Sequence, residues 1–459
     1  MGFSGRLTCS TLLATALVLP GCNPAKLIMQ PVAPVAAADM CRFERYATDV
    51  TLPSSATRTG EDVSSLRDTI ADSFGSSSGD LLFLSGGSQH GAFGAGFLDQ
   101  WHRNWRDHGG LPDFQVITGI STGALQATGT FIGRPEIAID GYTIQREEEI
   151  LEPFVDSADL EKDVPIKAGW TVLRRGALAD LIPLRRELDR LLTDEVIHKV
   201  AERYRNERAR LFVGVTDLDA GRAVALDMTQ MAHRIDTAQD AARKKHLKAC
   251  YIEALVASSI VPPGAKPVFI DNRMYIDGGV KFSVFTDAIG ELIADERLTP
   301  PPGPGDSVGP LRNIYILYNG TAEVARVCGK ADETLCKGND VDLSLAGQHK
   351  DWSVPGMAMR ALDLLTNQVG RLSAERAMNL KRPGYNDPHF VRIDEQARDK
   401  FQTRIEGLED MKLSCAEWKQ LDKDRLAPLE FYPRYMQCLI HYGRSVANQT
   451  AWSQKPSNM

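Results

Sequence analysis

Between Leu81 and Ala127 a short apolar run twice ends in glycine and gives way to helix-forming sequence. Leu81-Leu82-Phe83-Leu84 stops at Gly86-Gly87, and Gly91 to His102 follows as a helix crowded with small residues. Phe114-Gln115-Val116-Ile117-Thr118 stops at Gly119, and Gly123-Ala124-Leu125-Gln126-Ala127 opens another helix. Runs that are apolar almost throughout are buried on both faces, as in a parallel sheet covered by helices. Strand, helix, strand, helix therefore predicts an α/β fold. Further along, Leu211 to Thr216 turns through Asp219-Ala220-Gly221 into Ala223 to Leu226. Pro267 to Ile270 and Met274 to Ile276 meet across Asp271-Asn272-Arg273, and Ile314 to Tyr318 reads as another core strand. Lys248 to Ser259 and Met357 to Met378 read as helices, and charged, helix-forming sequence fills 144–210. No internal repeat interrupts this order.

Before Leu81 the chain has a different character. Arg6 and the apolar Leu12 to Leu19 have the pattern of an export signal, too short to span a bilayer. The end of that run, Leu19-Pro20-Gly21-Cys22, resembles the lipobox of bacterial lipoproteins. It implies cleavage after residue 21, acylation of Cys22 and attachment to a bacterial membrane without a spanning helix. An ordinary signal peptide with an incidental cysteine is the plainer alternative. Residues 22–79 then read as a tether and N-terminal segment rich in Ala, Ser, Thr and Pro.

Six cysteines remain after Cys9 and Cys22, an even number that suggests disulfides in an exported protein. Spacing favours Cys328 with Cys336 and Cys415 with Cys438. Cys250, inside an apolar helix, reads as a buried thiol, with Cys41 left over. No His/Cys cluster suggests a metal, and no organic cofactor is implied. The formal net charge of -7 argues against a nucleic-acid partner, which would need a basic surface.

Three clusters carry chemistry. Gly119-Ile120-Ser121-Thr122-Gly123 is a G-x-S-x-G between a strand and a helix. Its glycines allow a sharp turn that exposes the serine beside a helix N-terminus. Taken alone it is equally a tight connection with a capping serine. Ser85-Gly86-Gly87-Ser88-Gln89-His90-Gly91 offers bare backbone amides to an anion. A dinucleotide-binding loop fits it less well, because the middle glycine of G-x-G-x-x-G is missing and no acidic residue follows at ribose distance. The base for a nucleophilic serine has two sources. His349, His389 and His441 follow the serine as in a histidine-dependent α/β-hydrolase. Alternatively Asp277, ending a strand before Gly278-Gly279, accepts the hydroxyl proton directly.

A Gly-rich loop, a helix, G-x-S-x-G and a later Asp-Gly-Gly, in that order, resemble the patatin-like phospholipase family. Ala257-Ser258-Ser259-Ile260-Val261-Pro262-Pro263 and Thr216-Asp217-Leu218-Asp219 resemble it too, and the match runs from about Leu81 to Lys281. The resemblance implies a three-layer α/β/α fold with a mostly parallel central sheet over residues 80–320, and the sequence over 321–459, which carries no motif of the family, is expected to form a mostly helical C-terminal region that covers the site. It implies Ser121 as nucleophile, Asp277 as base of a Ser-Asp dyad, and Gly86, Gly87 and Ser88 as the oxyanion hole, with Gly119 and Gly123 shaping the elbow. The expected reaction is hydrolysis of a lipid ester through an acyl-enzyme. A non-catalytic envelope lipoprotein that binds lipid or a partner with the same fold is the alternative of another class. Ser88 and His90 stand where the family has glycine and arginine. That departure implies weakened use of phosphate head groups, and His90→Arg is expected to restore it.

Overall fold

The computed structural model describes residues 34–48, 64–75, 77–155, 177–262, 264–299, 310–321, 354–382 and 386–453. Cys22, the export segment, His349, Cys328 and Cys336 lie outside them. The described strands are β1 (Arg45–Ala47), β2 (Ser64–Ser65), β3 (Gly79–Leu84), β4 (Phe114–Ile120), β5 (Glu152–Pro153), β6 (Ala179–Asp180), β7 (Arg210–Asp217), β8 (Arg222–Asp227), β9 (Val268–Ile270), β10 (Arg273–Asp277), β11 (Leu311–Tyr318) and β12 (His389–Arg392), with a small C-terminal pair. Ten of them form one sheet in the order β12-β11-β3-β4-β7-β8-β1-β2, with β10 paired to β7 and β9 to β10. The block from β12 to β7 is parallel, and β8 returns antiparallel beside β7.

The alternation of a strand sorts its side chains into two cores. Leu82, Leu84, Ile117, Leu211 and Val213 face one, against the helices Gly91–Asn104, Thr122–Phe131, Asp194–Glu207, Met228–Asp236 and Ala241–Ala257. Leu81, Phe83, Val116, Ile120 and Phe212 face the other, against the helices Leu66–Phe74 and Thr286–Ile293. Sheet between two helical layers is the three-layer α/β/α arrangement. It draws strands from beyond 80–320 at both ends, since β1, β2 and β12 join it.

The C-terminal region is part of this packing. Its helix Pro433–Gln449 lies against the helix Gly91–Asn104 at two glycines. A Cβ on Gly96 would sit 2.8 Å from the Ile440 backbone, and one on Gly443 would sit 2.9 Å from the Phe97 amide nitrogen. The two backbones touch there, so neither neighbour can yield. Gly443→Ala is expected to destabilise the fold by roughly 1–3 kcal/mol through overpacking, read as a lower thermal midpoint.

Two disulfides are described. Cys415–Cys438 bridges the helices Cys415–Arg425 and Pro433–Gln449 with Cα atoms 5.5 Å apart, the pairing expected from spacing. Cys250 is not a buried thiol: it is bonded to Cys41, with Cα atoms 5.7 Å apart. The reason lies in the turn between β9 and β10, where Asp271 and Asn272 both have left-handed φ. That turn points the Asp271 carboxylate at the N-terminal segment, where the carboxylate accepts the N–H groups of Cys41 at 2.6 Å and Arg42 at 2.7 Å. The clamp brings Cys41 over the helix carrying Cys250. Among the described residues no helix is long and apolar enough to cross a membrane.

Candidate active site

One edge of β7 is shared by two strands. β4 runs parallel along it until Ile120 stands opposite Gly214. β10 occupies the same edge from the other direction and ends with Asp277 opposite Val215. The two chains therefore meet head to head across adjacent residues of β7. Ser121 follows Ile120, so sheet register alone brings the serine and the aspartate together at the C-terminal end of the parallel strands, where α/β sheets place ligands.

At Ser121 the chain turns into the helix Thr122–Phe131 with φ of 53° and ψ of -125°. A side-chain-bearing residue there costs of order 1–3 kcal/mol and persists when its surroundings over-determine it. They do so here. The Ser121 N–H donates to the Ser258 hydroxyl at 2.8 Å, which in turn donates to the Gly214 carbonyl at 2.6 Å. A Cβ on Gly119 would lie 2.7 Å from the Ala124 backbone, and one on Gly123 would lie 2.7 Å from the Leu84 and Ser85 carbonyls. The outer glycines of G-x-S-x-G are thus required by contact.

Asp277 is buried. Its Oδ1 accepts the Gly279 N–H at 2.6 Å, and the Ser121 side chain favours its ionised form. Burial pushes the carboxyl up to about 7, against the pull of the Ser121 side chain and the Gly279 N–H, and the charge of Glu430 adds to the rise. A carboxylate balanced near neutrality beside a hydroxyl is suited to taking and returning its proton.

The loop after β3 closes on the serine. A Cβ on Gly86 would lie 3.1 Å from the Ser121 Cβ and 3.8 Å from its Oγ, so a bare backbone is what fits there. Among the described residues none accepts from the N–H groups of Gly86, Gly87 or Ser88. Ser88 has a φ of 49°, and its hydroxyl donates to the Glu430 carboxylate. Behind the loop, the buried Asn319 donates its N–H to the Ser85 hydroxyl at 2.7 Å and its Nδ2 to the Ser85 carbonyl at 2.8 Å. Gln126 links Asn319 to the Gly91 carbonyl, at 3.2 Å and 2.6 Å.

His90 does not stand free to meet a ligand as its motif position suggests. Its Nδ1 lies 3.2 Å from the Gly87 carbonyl and its ring is edge-on to Tyr435, 6.0 Å between centres. Burial, with Arg398 and Lys419 nearby, holds the imidazole neutral, down to about 3. An arginine here would be a third cation in a packed joint. His90→Arg is therefore expected to loosen the C-terminal helix, which replaces the expectation of improved phospholipid turnover.

The other histidines are placed elsewhere. His389 begins β12 on the outer edge of the sheet, stacked on Tyr315 at 4.8 Å. His441 sits on the helix Pro433–Gln449, lowered by burial and by Arg444. Asn319, Gln126 and Glu430 belong to no motif in the sequence, and neither does the buried Glu147, which accepts the backbone N–H groups of Leu429 at 2.6 Å, Glu430 at 2.7 Å and Phe431 at 2.8 Å. Ser258 lies in the stretch Ala257 to Pro263, where the sequence alone assigns it no contact. Ser258→Ala would leave the Ser121 N–H without its buried acceptor, at a cost of about 1–3 kcal/mol. Both thermal stability and ester turnover are expected to fall, and unchanged turnover would mean that the elbow does not depend on it.

The model of the family described as patatin-like phospholipase matches residues 82–289, which hold the Gly-rich loop, the elbow and Asp277. No curated protein matches the chain.

Proposed function

Through residues 82–289 the chain belongs to the patatin-like phospholipase family, and from that premise we propose that it is a serine lipid acyl hydrolase working through a Ser121–Asp277 dyad, of phospholipase A or lysophospholipase type. The observation that carries the reading is the register on β7, with Ile120 opposite Gly214 and Asp277 opposite Val215, which sets Ser121 beside the buried carboxyl of Asp277. Asp277 takes the hydroxyl proton as Oγ bonds to the ester carbonyl carbon. The carbonyl oxygen becomes an oxyanion received by the N–H groups of Gly86, Gly87 and Ser88, next to the N-terminus of the helix Thr122–Phe131. Asp277 then returns the proton to the leaving alcohol as the C–O bond breaks. In the second half Asp277 deprotonates a water whose oxygen bonds to the acyl carbon, and it returns that proton to Ser121 Oγ as the acyl C–Oγ bond breaks and the fatty acid leaves.

The base must be ionised, so activity rises with pH through the titration of Asp277. The expected kcat/KM profile on a soluble acyl ester falls about tenfold per pH unit below an acid limb near 7. A limb near 4 would mean that burial does not raise the Asp277 carboxyl, and a profile unchanged in shape in Asp277→Asn would mean that Asp277 is not the base.

We further propose that the protein is exported and held at a bacterial membrane by lipid on Cys22, so that the site faces its substrate. The lipobox-like Leu19-Pro20-Gly21-Cys22 supports this, as do the disulfides Cys41–Cys250 and Cys415–Cys438, which belong to an oxidising compartment. Mass spectrometry of the mature N-terminus tests it: diacylglyceryl-Cys22 is expected, and an unmodified start elsewhere would refute the anchor.

A further inference from the structure

Sheet register carries Asn319 to the back of the Gly86–Ser88 loop. β11 pairs with β3 up to Leu317 opposite Leu84, and the Ser85 N–H still donates to the Leu317 carbonyl at 3.0 Å. Asn319 follows two residues later, so close that a Cβ on Gly87 would lie 2.6 Å from its carbonyl. The buried Asn319 amide has one orientation there. Its Nδ2 donates to Gln126 Oε1 at 3.2 Å, while Gln126 Nε2 donates to Asn319 Oδ1 at 3.4 Å and to the Gly91 carbonyl at 2.6 Å. A carbonyl only accepts, so Gly91 fixes which end of Gln126 is nitrogen, and Gln126 in turn fixes Asn319.

Three successive carbonyls at this loop are held by donors inside the protein. The Ser85 carbonyl accepts Asn319 Nδ2 at 2.8 Å. The Ser85 hydroxyl accepts the Asn319 N–H at 2.7 Å and passes its own hydrogen to the Gly86 carbonyl at 2.8 Å. The Gly87 carbonyl accepts the His90 N–H at 3.0 Å. A trans peptide is planar, and its C=O and N–H point in opposite directions. Each held carbonyl therefore turns the next N–H away from its donor, which accounts for the N–H groups of Gly86, Gly87 and Ser88 in order. Gly86 meets Ser121 on the other side of the loop from Asn319, since its own Cβ would lie 3.1 Å from that of Ser121.

We propose that Asn319 and Ser85 are positioning residues for ester hydrolysis, which aim the N–H groups of Gly86 and Gly87 at the oxyanion by holding the carbonyls of Ser85 and Gly86. The inference rests on the Ser121–Asp277 reading above, with this loop as its oxyanion hole. A donor contributes to the rate when it already points to where charge develops. Removing one such donor outright costs about 10²–10³-fold in kcat. Releasing a carbonyl lets its peptide tilt without deleting the donor, so a loss of roughly 10–100-fold is expected for either residue. The bond to the oxyanion exists only in the transition state, so kcat falls while KM changes little.

The test is the ratio of kcat/KM on a soluble acyl ester to that on its thionoester, in which sulfur replaces the carbonyl oxygen. Sulfur is a weak acceptor, so well-aimed N–H groups favour the oxygen ester. A defect of folding alone slows both substrates alike and leaves the ratio where it was. The ratio is measured for wild type, Ser85→Ala and Asn319→Leu in the full chain. The wild type is expected to prefer the oxygen ester, and each variant to lower that preference about tenfold or more, with kcat reduced and KM nearly constant. An unchanged ratio in either folded variant overturns the proposal and leaves the dyad standing. Undiminished ester cleavage by Ser121→Ala would instead overturn the dyad reading. If Asn319→Leu fails to fold, Ser85→Ala, which removes a single oxygen, decides by the same criterion.

Discussion

Asp277→Asn is expected to abolish ester hydrolysis while making the folded protein more stable above neutral pH. A missing general base costs about 10²–10⁴-fold, and Ser121→Ala, which removes the nucleophile, costs at least as much. The stability change runs the other way because the carboxyl is raised by burial, to about 7. Folded Asp277 keeps its proton up to that pH, whereas in the unfolded chain it loses it near 4. Wild-type stability from this group is thus present below about pH 4 and lost as pH rises to 7, since ionising a buried carboxyl is unfavourable. Asparagine has no proton to lose and keeps an acceptor for the Gly279 N–H. The variant is expected to exceed wild type by about 2–4 kcal/mol at pH 8, a gap that closes toward pH 4. Urea unfolding at the two pH values measures it. An inactive Asn variant that is also destabilised at pH 8 would mean that Asp277 serves the fold and is not held against its own ionisation.

The second large effect concerns the bridge that ties the N-terminal segment to the body. Cys41 and Cys250 are 209 residues apart, against 23 for Cys415 and Cys438. Loop entropy grows with the logarithm of length, so removing the long bridge costs roughly 5 kcal/mol in the chain-entropy picture and the short one roughly 3. Cys41→Ser with Cys250→Ser is expected to lower the thermal midpoint by on the order of 5–10 °C, more than the paired change at Cys415 and Cys438. The Asp271 clamp on Cys41 and Arg42 remains in the variant, so the segment loosens without being released. Equal midpoints with and without a reductant would contradict the bridges' contribution.

Much of the site could be read from the sequence because backbone geometry dictates residue type there. Gly86 must lack a side chain to approach Ser121, Gly119 must lack one to admit the helix backbone at Ala124, and Gly123 must lack one to pack on the end of β3. Such demands leave glycines at fixed offsets, and the apolar runs around them announce a doubly covered sheet. The supporting residues obey no such rule. Asn319 acts through a hydrogen bond to Ser85 and Glu147 through bonds to Leu429, Glu430 and Phe431. Any polar residue of suitable length could stand at those positions in a sequence, and only the closed fold brings them near. The same holds for β12, a short strand in polar surroundings that gains its place by pairing with β11. Cys41 was left without a partner because spacing carries no information about a turn at Asp271 that folds the chain back over Cys250.

The central claim is that Ser121 carries the acyl group. The most direct measurement is labelling of the intact protein with a fluorophosphonate, which phosphonylates activated serines, followed by peptide mapping by mass spectrometry. The expected result is a single adduct on the peptide containing Ser121, formed slowly or not at all in Asp277→Asn and blocked by prior incubation with a lipid ester. An unlabelled Ser121 in protein that hydrolyses esters, or a stable adduct on another serine that accounts for lost activity, would contradict it.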